Sequence, residues 1–243
     1  MKKAAFITGA SGGIGSAIAL RLAKEGFHIA CCYNKDKEGI TALSKMLDEA
    51  GADYAVYQLD VSDSLETQKV FTEAAEKSGG FSVLINCAGL SLNKLLTDTS
   101  PEEFDALTGV NFKGIYNTCR AAVPGMVREK YGRIINISSM WGVCGASCEV
   151  VYSATKAAVI GFTKALAREL APSGINVNCI APGAIDTKMN NNLSPAEKAE
   201  FAQQIPQGRF GTTEEIAGIV SFLAGEDSSY ITAQVITADG GLI

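Results

Sequence analysis

The 243-residue chain lacks several features that would assign it to a specialised class of protein. It has no run of about 18 uninterrupted apolar residues, so we predict no membrane span. It has no basic excess, since 21 Lys and Arg stand against 26 Asp and Glu, and we therefore predict no nucleic-acid partner. With 47% hydrophobic and 19% charged residues, its composition excludes disordered, collagen-like and coiled-coil proteins.

The seven cysteines also lack a pairing pattern. Their number is odd, and Cys31, Cys32, Cys87 and Cys179 lie in apolar runs that resemble strands rather than in C-x-x-C pairs. We predict reduced core residues of a cytoplasmic protein. No metal site is predicted, because a domain of this length needs no metal or disulfide to be stable.

Prolines are few and glycines many, 6 against 25, which indicates tight turns between strands and helices. Short β-rich runs alternate with longer amphipathic ones, the pattern of βα units around a parallel sheet. No linker interrupts it, so residues 1–243 are predicted to form one α/β domain. The predicted strands are Ala4 to Thr8, His28 to Tyr33, Tyr54 to Leu59, Val83 to Asn86, Arg133 to Ser138, Asn176 to Ile180 and Gln234 to Thr237.

Helical periodicity fills the intervals between the strands and supports right-handed parallel crossovers. One long irregular segment, Gly183 to Gly211, contains Asn190-Asn191-Asn192 and a helical stretch from Pro195 to Gln204, and we interpret it as a lid over a site. The predicted helices are Ile14 to Lys24, Lys37 to Ala50, Leu65 to Lys77, Pro101 to Arg128, Ser153 to Leu170 and Thr213 to Ala224.

A glycine-rich loop follows the first predicted strand and opens the first helix. Its spacing is G-x-x-x-G-x-G rather than G-x-G-x-x-G. The position favours a pyrophosphate, because backbone N–H groups and the helix dipole would meet the ligand there. Glycine-rich turns also occur wherever a helix packs tightly on a strand, and position alone leaves this alternative open. The candidate binding residues of the loop are Gly9, Ser11, Gly12, Gly13, Ile14 and Gly15.

The end of the second strand bears on the choice of coenzyme. An NAD site usually has a carboxylate there to bind the ribose 2′-hydroxyl. This strand ends instead in Tyr33-Asn34-Lys35, which matches a 2′-phosphate, so NADP(H) is favoured over NAD(H). Asp36 follows at once and argues for NAD(H), and Lys35 and Lys37 could equally be the solvated start of a helix.

Tyr152 and Lys156 are four residues apart at the start of a helix, on one face. Ser139 follows the fifth strand, at the edge where open α/β sheets bind ligands. A tyrosine needs its pKa lowered from about 10 by roughly three units to work near neutrality, and one cation at about 4 Å suffices in magnitude. By spacing alone, an ordinary surface pair is the favoured alternative.

Taken together, these motifs resemble the short-chain dehydrogenase/reductase family over nearly the whole chain. Further matching segments are the turn Asn86-Cys87-Ala88-Gly89, the pair Asp60-Val61, the helical Asn111, and a turn with Pro182, Gly183, Ile185 and Thr187. The resemblance implies a doubly wound Rossmann-type fold with a single seven-stranded parallel sheet and helices on both faces. It also implies that Asp60 and Val61 contact adenine, and that the turn from Pro182 to Thr187 binds nicotinamide.

The resemblance also implies roles for four catalytic residues. Tyr152 would protonate a substrate carbonyl oxygen that Ser139 also hydrogen-bonds, while hydride passes from nicotinamide to carbon. Lys156 would bind the nicotinamide ribose and lower the tyrosine pKa, and Asn111 would hold a water that passes protons to it. Ser138 lacks the family's spacing to the tyrosine and is the less favoured serine.

Within the family, the chain looks most similar to bacterial 3-oxoacyl-(acyl carrier protein) reductases, which implies a homotetramer. It keeps Lys130 at one position where that group binds the acidic carrier, but has Ser173 where arginine is common at another. Gly12 stands where many NADPH-dependent members have arginine, and Cys87 replaces the second asparagine of its turn. The glycine argues against NADP(H), and the cysteine is expected to have no functional cost.

Two alternatives remain open. The segment from Ser139 to Val150 also resembles reductases of the aminopentanone-modified lysine of elongation factor P, and Glu149 could attract an amine-bearing substrate. A non-catalytic dinucleotide-binding protein is the alternative from another class, but it should have lost Tyr152 or Lys156, and both are present.

Overall fold

The computed structural model describes residues 3–187 and 194–243 of the chain. Seven parallel strands form one sheet in the order β3-β2-β1-β4-β5-β6-β7. Helices cover both faces, so the predicted doubly wound Rossmann-type fold is confirmed. The strands are β1 Ala4–Thr8, β2 His28–Tyr33, β3 Tyr54–Gln58, β4 Val83–Asn86, β5 Gly132–Ile137, β6 Ile175–Pro182 and β7 Val235–Ala238.

The described helices lie between these strands, and most match the sequence prediction to within three residues at each end. They are α1 Gly13–Lys24, α2 Lys37–Glu49, α3 Ser64–Ser78, α4 Pro101–Thr108, α5 Gly114–Glu129, α6 Trp141–Cys144, α7 Val150–Leu170, α8 Pro195–Gln204 and α9 Thr213–Ala224. The short helix α6 was not predicted. Asn190-Asn191-Asn192 lies outside the described residues.

The stretch predicted as one helix, Pro101 to Arg128, is helical throughout, but it is not one uninterrupted α-helix. The chain forms α4, then a π-helical turn over Gly109–Lys113, then α5. Ser100 begins this stretch with a capping box that includes Glu103, and Pro101 is in the first turn, where its missing N–H is tolerated. A π turn inserts one residue into a helix, and such turns are frequent at functional sites.

Each face of the sheet buries its own apolar cluster. On one face Phe6, Phe71 and Phe81 pack ring against ring, with centroids 5.0 to 5.4 Å apart. On the other, α1 and α9 contact each other and cover Ile7 and Ile29. These two layers fix the sheet, and therefore the edge where the carboxyl ends of its strands meet.

All seven cysteines are free. Cys31, Cys32 and Cys179 are buried, as predicted, whereas Cys87 is only partly buried and Cys144 is exposed. Over residues 3–187 and 194–243, no helix combines the length and apolar character needed to cross a membrane.

Candidate functional site

The strand order reverses between β1 and β4, and the candidate residues collect at the carboxyl edge of the sheet around this point. In open α/β sheets, a ligand crevice forms at such a switch point. A cavity of about 730 Å³ opens there. Its walls come from the glycine loop, the ends of β2 and β3, the turn after β4, and α4 with the π turn.

The glycine loop lies against the turn after β4 with no room for side chains. Gly9 has a φ of +66°, and a Cβ there would be 2.8 Å from the backbone of Ala88. A Cβ at Gly15 would collide with the carbonyl oxygen of Gly9. Thr8, which the sequence analysis did not single out, accepts the N–H groups of Cys87 and Ala88 at 3.1 Å and so joins the two segments.

The amino end of α1 is free to receive an anion. Its N-cap, Gly12, provides no side-chain cap, and the first turn contains no acidic residue. The first N–H groups of a helix lack intrahelical acceptors, so those at Gly13, Ile14 and Gly15 are available to an anion. Thr187 reaches this end, since a Cβ at Gly13 would be 3.1 Å from its Cγ2.

Two lysines, Lys35 and Lys37, follow β2. The sequence did not distinguish them, but their positions in the structure do. Of the described residues, Lys35 lines the cavity and Lys37 does not. Asp36 also lines it, but its carboxylate accepts the N–H of Gly39 at 2.9 Å as the N-cap of α2. The acid that argued for NAD(H) is therefore already hydrogen-bonded within the protein.

Asp60 and Val61 line the same cavity, beside Asn34. The Asp60 carboxylate accepts both the N–H and the hydroxyl of Ser62, at 2.9 and 2.6 Å. These bonds, with smaller contributions from Asn34 and Lys35, keep the pKa of Asp60 below its ordinary value despite partial burial. A charged acceptor thus stands in the cavity next to the end of β2.

Tyr152 and Ser139 meet as the sequence predicted. Both residues are buried, each with only 8% of its surface exposed. Burial raises the pKa of Tyr152 to about 12, hydrogen bonding to Ser139 lowers it, and the charge of Glu149 raises it. We expected a lowered pKa. Among the protein's own groups, desolvation of the phenolate outweighs the favourable contact instead.

Lys156 is buried beside the tyrosine, with its Nζ 5.7 Å from the centroid of the Tyr152 ring. The ammonium donates to the carbonyl oxygen of Ile137 at 3.0 Å, and burial lowers the lysine pKa. A Cβ at Gly89 would be 3.4 Å from Nζ. Glycine at this position therefore keeps a space open beside the ammonium.

Asn111 lies in the π turn and is fully buried. Its side chain accepts the N–H of Leu90 at 2.7 Å and donates to the Leu90 carbonyl at 2.9 Å and the Thr155 hydroxyl at 3.1 Å. The amide is therefore a clamp between the turn after β4 and α7. The clamp therefore joins Leu90, which lines the cavity, to the helix that carries Tyr152.

Residues 9–243 match the family model described as enoyl-(acyl carrier protein) reductase. The 3-oxoacyl-(acyl-carrier-protein) reductase FabG of Staphylococcus aureus is 42% identical over 242 residues, covering 100% of this chain and 98% of the relative. The chain belongs to the short-chain dehydrogenase/reductase family. It is an oxidoreductase that acts on CH–OH and C=O groups.

Other members of the short-chain dehydrogenase/reductase family match equally completely. The uncharacterized oxidoreductase YmfI of Bacillus subtilis is 40% identical, with 99% of both chains covered. The FabG of Thermotoga maritima is 39% identical over 241 residues, covering 99% of this chain and 98% of the relative.

A dinucleotide of the kind this family binds fits the site in shape and charge. The backbone of the glycine loop can approach a ligand closely, the amino end of α1 has N–H groups without intrahelical acceptors, and Lys35 lines the cavity. Ala88 and Gly89 line the cavity too. Asn86, by contrast, has its side chain in the core, where it bonds to Asn136, and any contact with a coenzyme would come from its backbone.

The turn after β6 lies on the other side of the glycine loop. Pro182 accepts the N–H of Met140 at 2.9 Å, and Gly183 is too close to Asp239 to accommodate a side chain. Ile185 is buried and pairs with Gly211 in a parallel bridge. The turn therefore approaches Ser139 from the strand next to it.

Ser138 and Ser139 differ in their hydrogen-bond partners. The Ser138 hydroxyl donates to the carbonyl oxygen of Lys156 at 2.8 Å, so it ties α7 to the end of β5. The Ser139 hydroxyl accepts the N–H of Trp141 at 3.2 Å and also hydrogen-bonds with Tyr152.

Proposed function

We propose that the protein is an NADPH-dependent carbonyl reductase in which Tyr152 gives a proton to the carbonyl oxygen of the substrate. One observation carries this proposal. The carboxyl edge of β5, next to the glycine loop, brings together three buried residues, Tyr152, Ser139 and Lys156. When bound, the reduced nicotinamide supplies the hydride that the carbonyl carbon receives. The residues of the chain orient the substrate and control the proton.

The proton-donating state of the tyrosine is supported by its surroundings. A pKa of about 12 keeps Tyr152 protonated over the whole physiological range, which is the form that reduction requires. Ser139 would hold the carbonyl oxygen against the phenol. Lys156, whose ammonium is already held by Ile137, would bind the nicotinamide ribose and stabilise the tyrosinate left after transfer.

Resupply of the proton would involve Asn111. Its side-chain amide makes three hydrogen bonds to Leu90 and Thr155. The remaining lone pair of Oδ1 or its backbone carbonyl would therefore hold the water that passes protons to Lys156.

A preference for NADPH is supported by Lys35, which lines the cavity, and by the engagement of Asp36 as an N-cap. A 2′-phosphate would find a cation there, and both nearby carboxylates, Asp36 and Asp60, already accept hydrogen bonds from the protein. Gly12 offers no side chain to add to this, so Asn34, Lys35 and the end of β2 would provide most of the selectivity.

For the substrate, we propose a 3-oxoacyl thioester on acyl carrier protein, reduced to the 3-hydroxyacyl thioester. The names of the S. aureus and T. maritima relatives support it. Lys130 offers a cation for an acidic carrier, and Ser173 offers none.

A second substrate is favoured by Glu149. This carboxylate is half-buried, burial raises its pKa, and its charge acts on Tyr152. Within residues 3–187 and 194–243, no hydrogen bond or ion pair engages its side chain, and burial alone shifts its pKa. An ammonium group on the substrate would neutralise it, as would be the case for the aminopentanone-modified lysine of elongation factor P. A fatty acyl chain would not.

We also infer that residues 1–243 form a single domain, and that the protein acts in the cytoplasm as a homotetramer. Large apolar side chains that remain exposed on α4, α5 and α9 support the oligomer. They include Phe104, Tyr116, Val127 and Phe222.

The loss of reduced-nicotinamide absorbance tests these proposals. NADPH and NADH are compared with an acetoacetyl thioester and with modified elongation factor P. We expect turnover with NADPH to exceed that with NADH. Reduction of the modified factor alone would replace the thioester as substrate, faster use of NADH would contradict the coenzyme preference, and inactivity toward every carbonyl would contradict the reductase itself.

A further inference from the structure

Four buried side chains, on α5, β4, β5 and α7, form a continuous chain of hydrogen bonds next to the site. The Thr118 hydroxyl donates to Asn86 Oδ1 at 2.6 Å, and Asn86 Nδ2 donates to Asn136 Oδ1 at 2.8 Å. Asn136 Nδ2 then donates to the Thr163 hydroxyl at 2.9 Å, which itself donates to the Val159 carbonyl at 2.8 Å. None of the four side chains is more than 1% exposed.

The chain runs in one direction, because each member donates to the next. Asn86 and Asn136 are direct partners in the parallel register of β4 and β5, so the strands bring the two amides together. A buried amide that loses its partner costs about 1–3 kcal/mol. Apolar residues at these positions would avoid that cost. Because each amide needs its partner, the polar chain favours one particular arrangement of β4, β5, α5 and α7.

The two ends of the chain lie on the helices that flank the proton-transfer site. Thr118 is on α5, seven residues after Asn111, and Thr163 is on α7, seven residues after Lys156. Seven residues are two helical turns, so Thr163 and Lys156 face the same strand from one side of α7. That strand is β5, which places Asn136 opposite Thr163 and, one residue later, offers the Ile137 carbonyl to Lys156.

We propose that Asn136 and Thr163 are positioning residues for proton transfer. Their hydrogen bond sets the position of α7 along β5, and so the approach of Tyr152 to Ser139, which lies three residues beyond Asn136. The inference rests on the proposed reductase function, because it assigns a purpose to that alignment. Neither residue touches the substrate.

Thr163→Val tests the proposal, since valine keeps the shape of threonine and removes only the hydroxyl. We expect kcat to fall about tenfold, within the reach of a sub-ångström misplacement of reacting groups, while the KM for NADPH changes less than about twofold. The pH profile of kcat should move as well. Thr163→Ser, which restores the hydroxyl, should recover kcat to within about twofold of the wild type.

Asn178→Leu is the matched control. Asn178 is an asparagine on the neighbouring strand β6, 1% exposed, and its amide holds the carbonyl of Ile231 and the N–H of Gln234 instead of α7. It should lower the free energy of unfolding as Thr163→Val does, yet leave kcat unchanged. An unchanged kcat in Thr163→Val, or an equal loss in Asn178→Leu, would overturn the proposal.

Amide hydrogen exchange keeps this test separate from the proposed function. Thr163→Val should accelerate exchange in residues 150–163 more than Asn178→Leu does, whether or not a carbonyl substrate is turned over. If Thr163→Val is not recovered folded, Asn136→Leu removes the same hydrogen bond from the side of the strand and should lower kcat in the same way. Equal exchange in the variants, or normal kcat in Asn136→Leu, would contradict positioning.

Discussion

Tyr152 and Lys156 are taken out of water together, and burial acts on them in opposite directions. It raises the pKa of the phenol to about 12 and lowers that of the ammonium, because low polarity disfavours the charged form of each. The protein alone therefore favours a protonated tyrosine. This state suits reduction better than the reverse oxidation, for which a tyrosinate is needed.

Removing the phenolic hydroxyl tests Tyr152 as the proton donor. Tyr152→Phe should lower kcat by about two to four orders of magnitude, the usual contribution of general acid catalysis, while the Kd for NADPH stays near that of the wild type. Steady-state kinetics and fluorescence titration with NADPH measure the two quantities. Near-normal turnover would refute the proposed donor.

Glu149 should adjust the pH dependence of the same tyrosine. Its charge raises the Tyr152 pKa, so Glu149→Gln lowers that pKa and increases the tyrosinate fraction at any given pH. We expect oxidation of the alcohol product at pH 8 to become about twofold to fivefold faster, with the rising limb of its pH profile moved to lower pH. Glu169→Gln, on the exposed face near the far end of α7, is the control, and a profile unchanged in Glu149→Gln would exclude the effect.

The sequence predicted which residues of the site lie close together more accurately than it predicted their pKa shifts. Ser139 was preferred over Ser138 because it has the spacing to the tyrosine that the family shows, and the structure engages the Ser138 hydroxyl with the Lys156 carbonyl. The sign of the tyrosine pKa shift was missed, because desolvation depends on neighbours that the sequence does not place. The buried Asn136 was missed too, although an asparagine within the apolar run of β5 was a visible signal.

At the scale of elements, the contact between α6 and α7 builds the wall of the site. A Cβ at Gly142 would be 2.7 Å from the backbone of Lys156 and 2.8 Å from the Ser138 hydroxyl. Glycine at this position is what allows α6 to pack on the helix that carries the tyrosine.

Gly142→Ala should therefore push α6 away from α7. We expect kcat to fall about tenfold or more and the free energy of unfolding to fall by about 1–3 kcal/mol, the usual effect of overpacking. Gly161→Ala, on α7 with no atom within 4 Å of its added Cβ, is the control and should keep both. Kinetics and urea denaturation measure the effects, and equal behaviour of the two variants would contradict this account.

Periodicity located the strands and most helices but could not locate the π turn. One extra residue in a helix barely disturbs a 3.6-residue pattern, so Gly109–Lys113 was absorbed into a single long helix. The turn lines the cavity and carries Asn111, so the missed turn lies at the candidate site. The strand limits were off by two residues or fewer, because turn residues bound each β-rich run.

At the scale of the whole molecule, the single parallel sheet followed from the alternation of strands and helices, whereas the state of assembly did not. Tyr116 and Val127 are exposed on α5 and lie eleven residues apart, about three helical turns, so they share one face. Phe222 on α9 and Tyr230 beyond it are also exposed. Such groups on different elements suit a tetramer with two kinds of interface.

Phe222→Glu should break one of these interfaces. A carboxylate in an apolar contact is costly to desolvate, so we expect the tetramer to split to about half its mass in sedimentation velocity. Leu65→Glu, a highly exposed leucine at the start of α3, should leave the mass unchanged. A tetramer in both variants would show that α9 lies outside the interface.

The location of the accessible thiols gives the molecule a ready-made reporter. Cys144 is exposed at the end of α6, the element that packs on the helix of Tyr152, while Cys31, Cys32, Cys119 and Cys179 are buried and their thiol pKa values are raised. A maleimide dye should therefore label Cys144 first, close to the proposed active site, and its emission would follow ligand entry without any engineered cysteine.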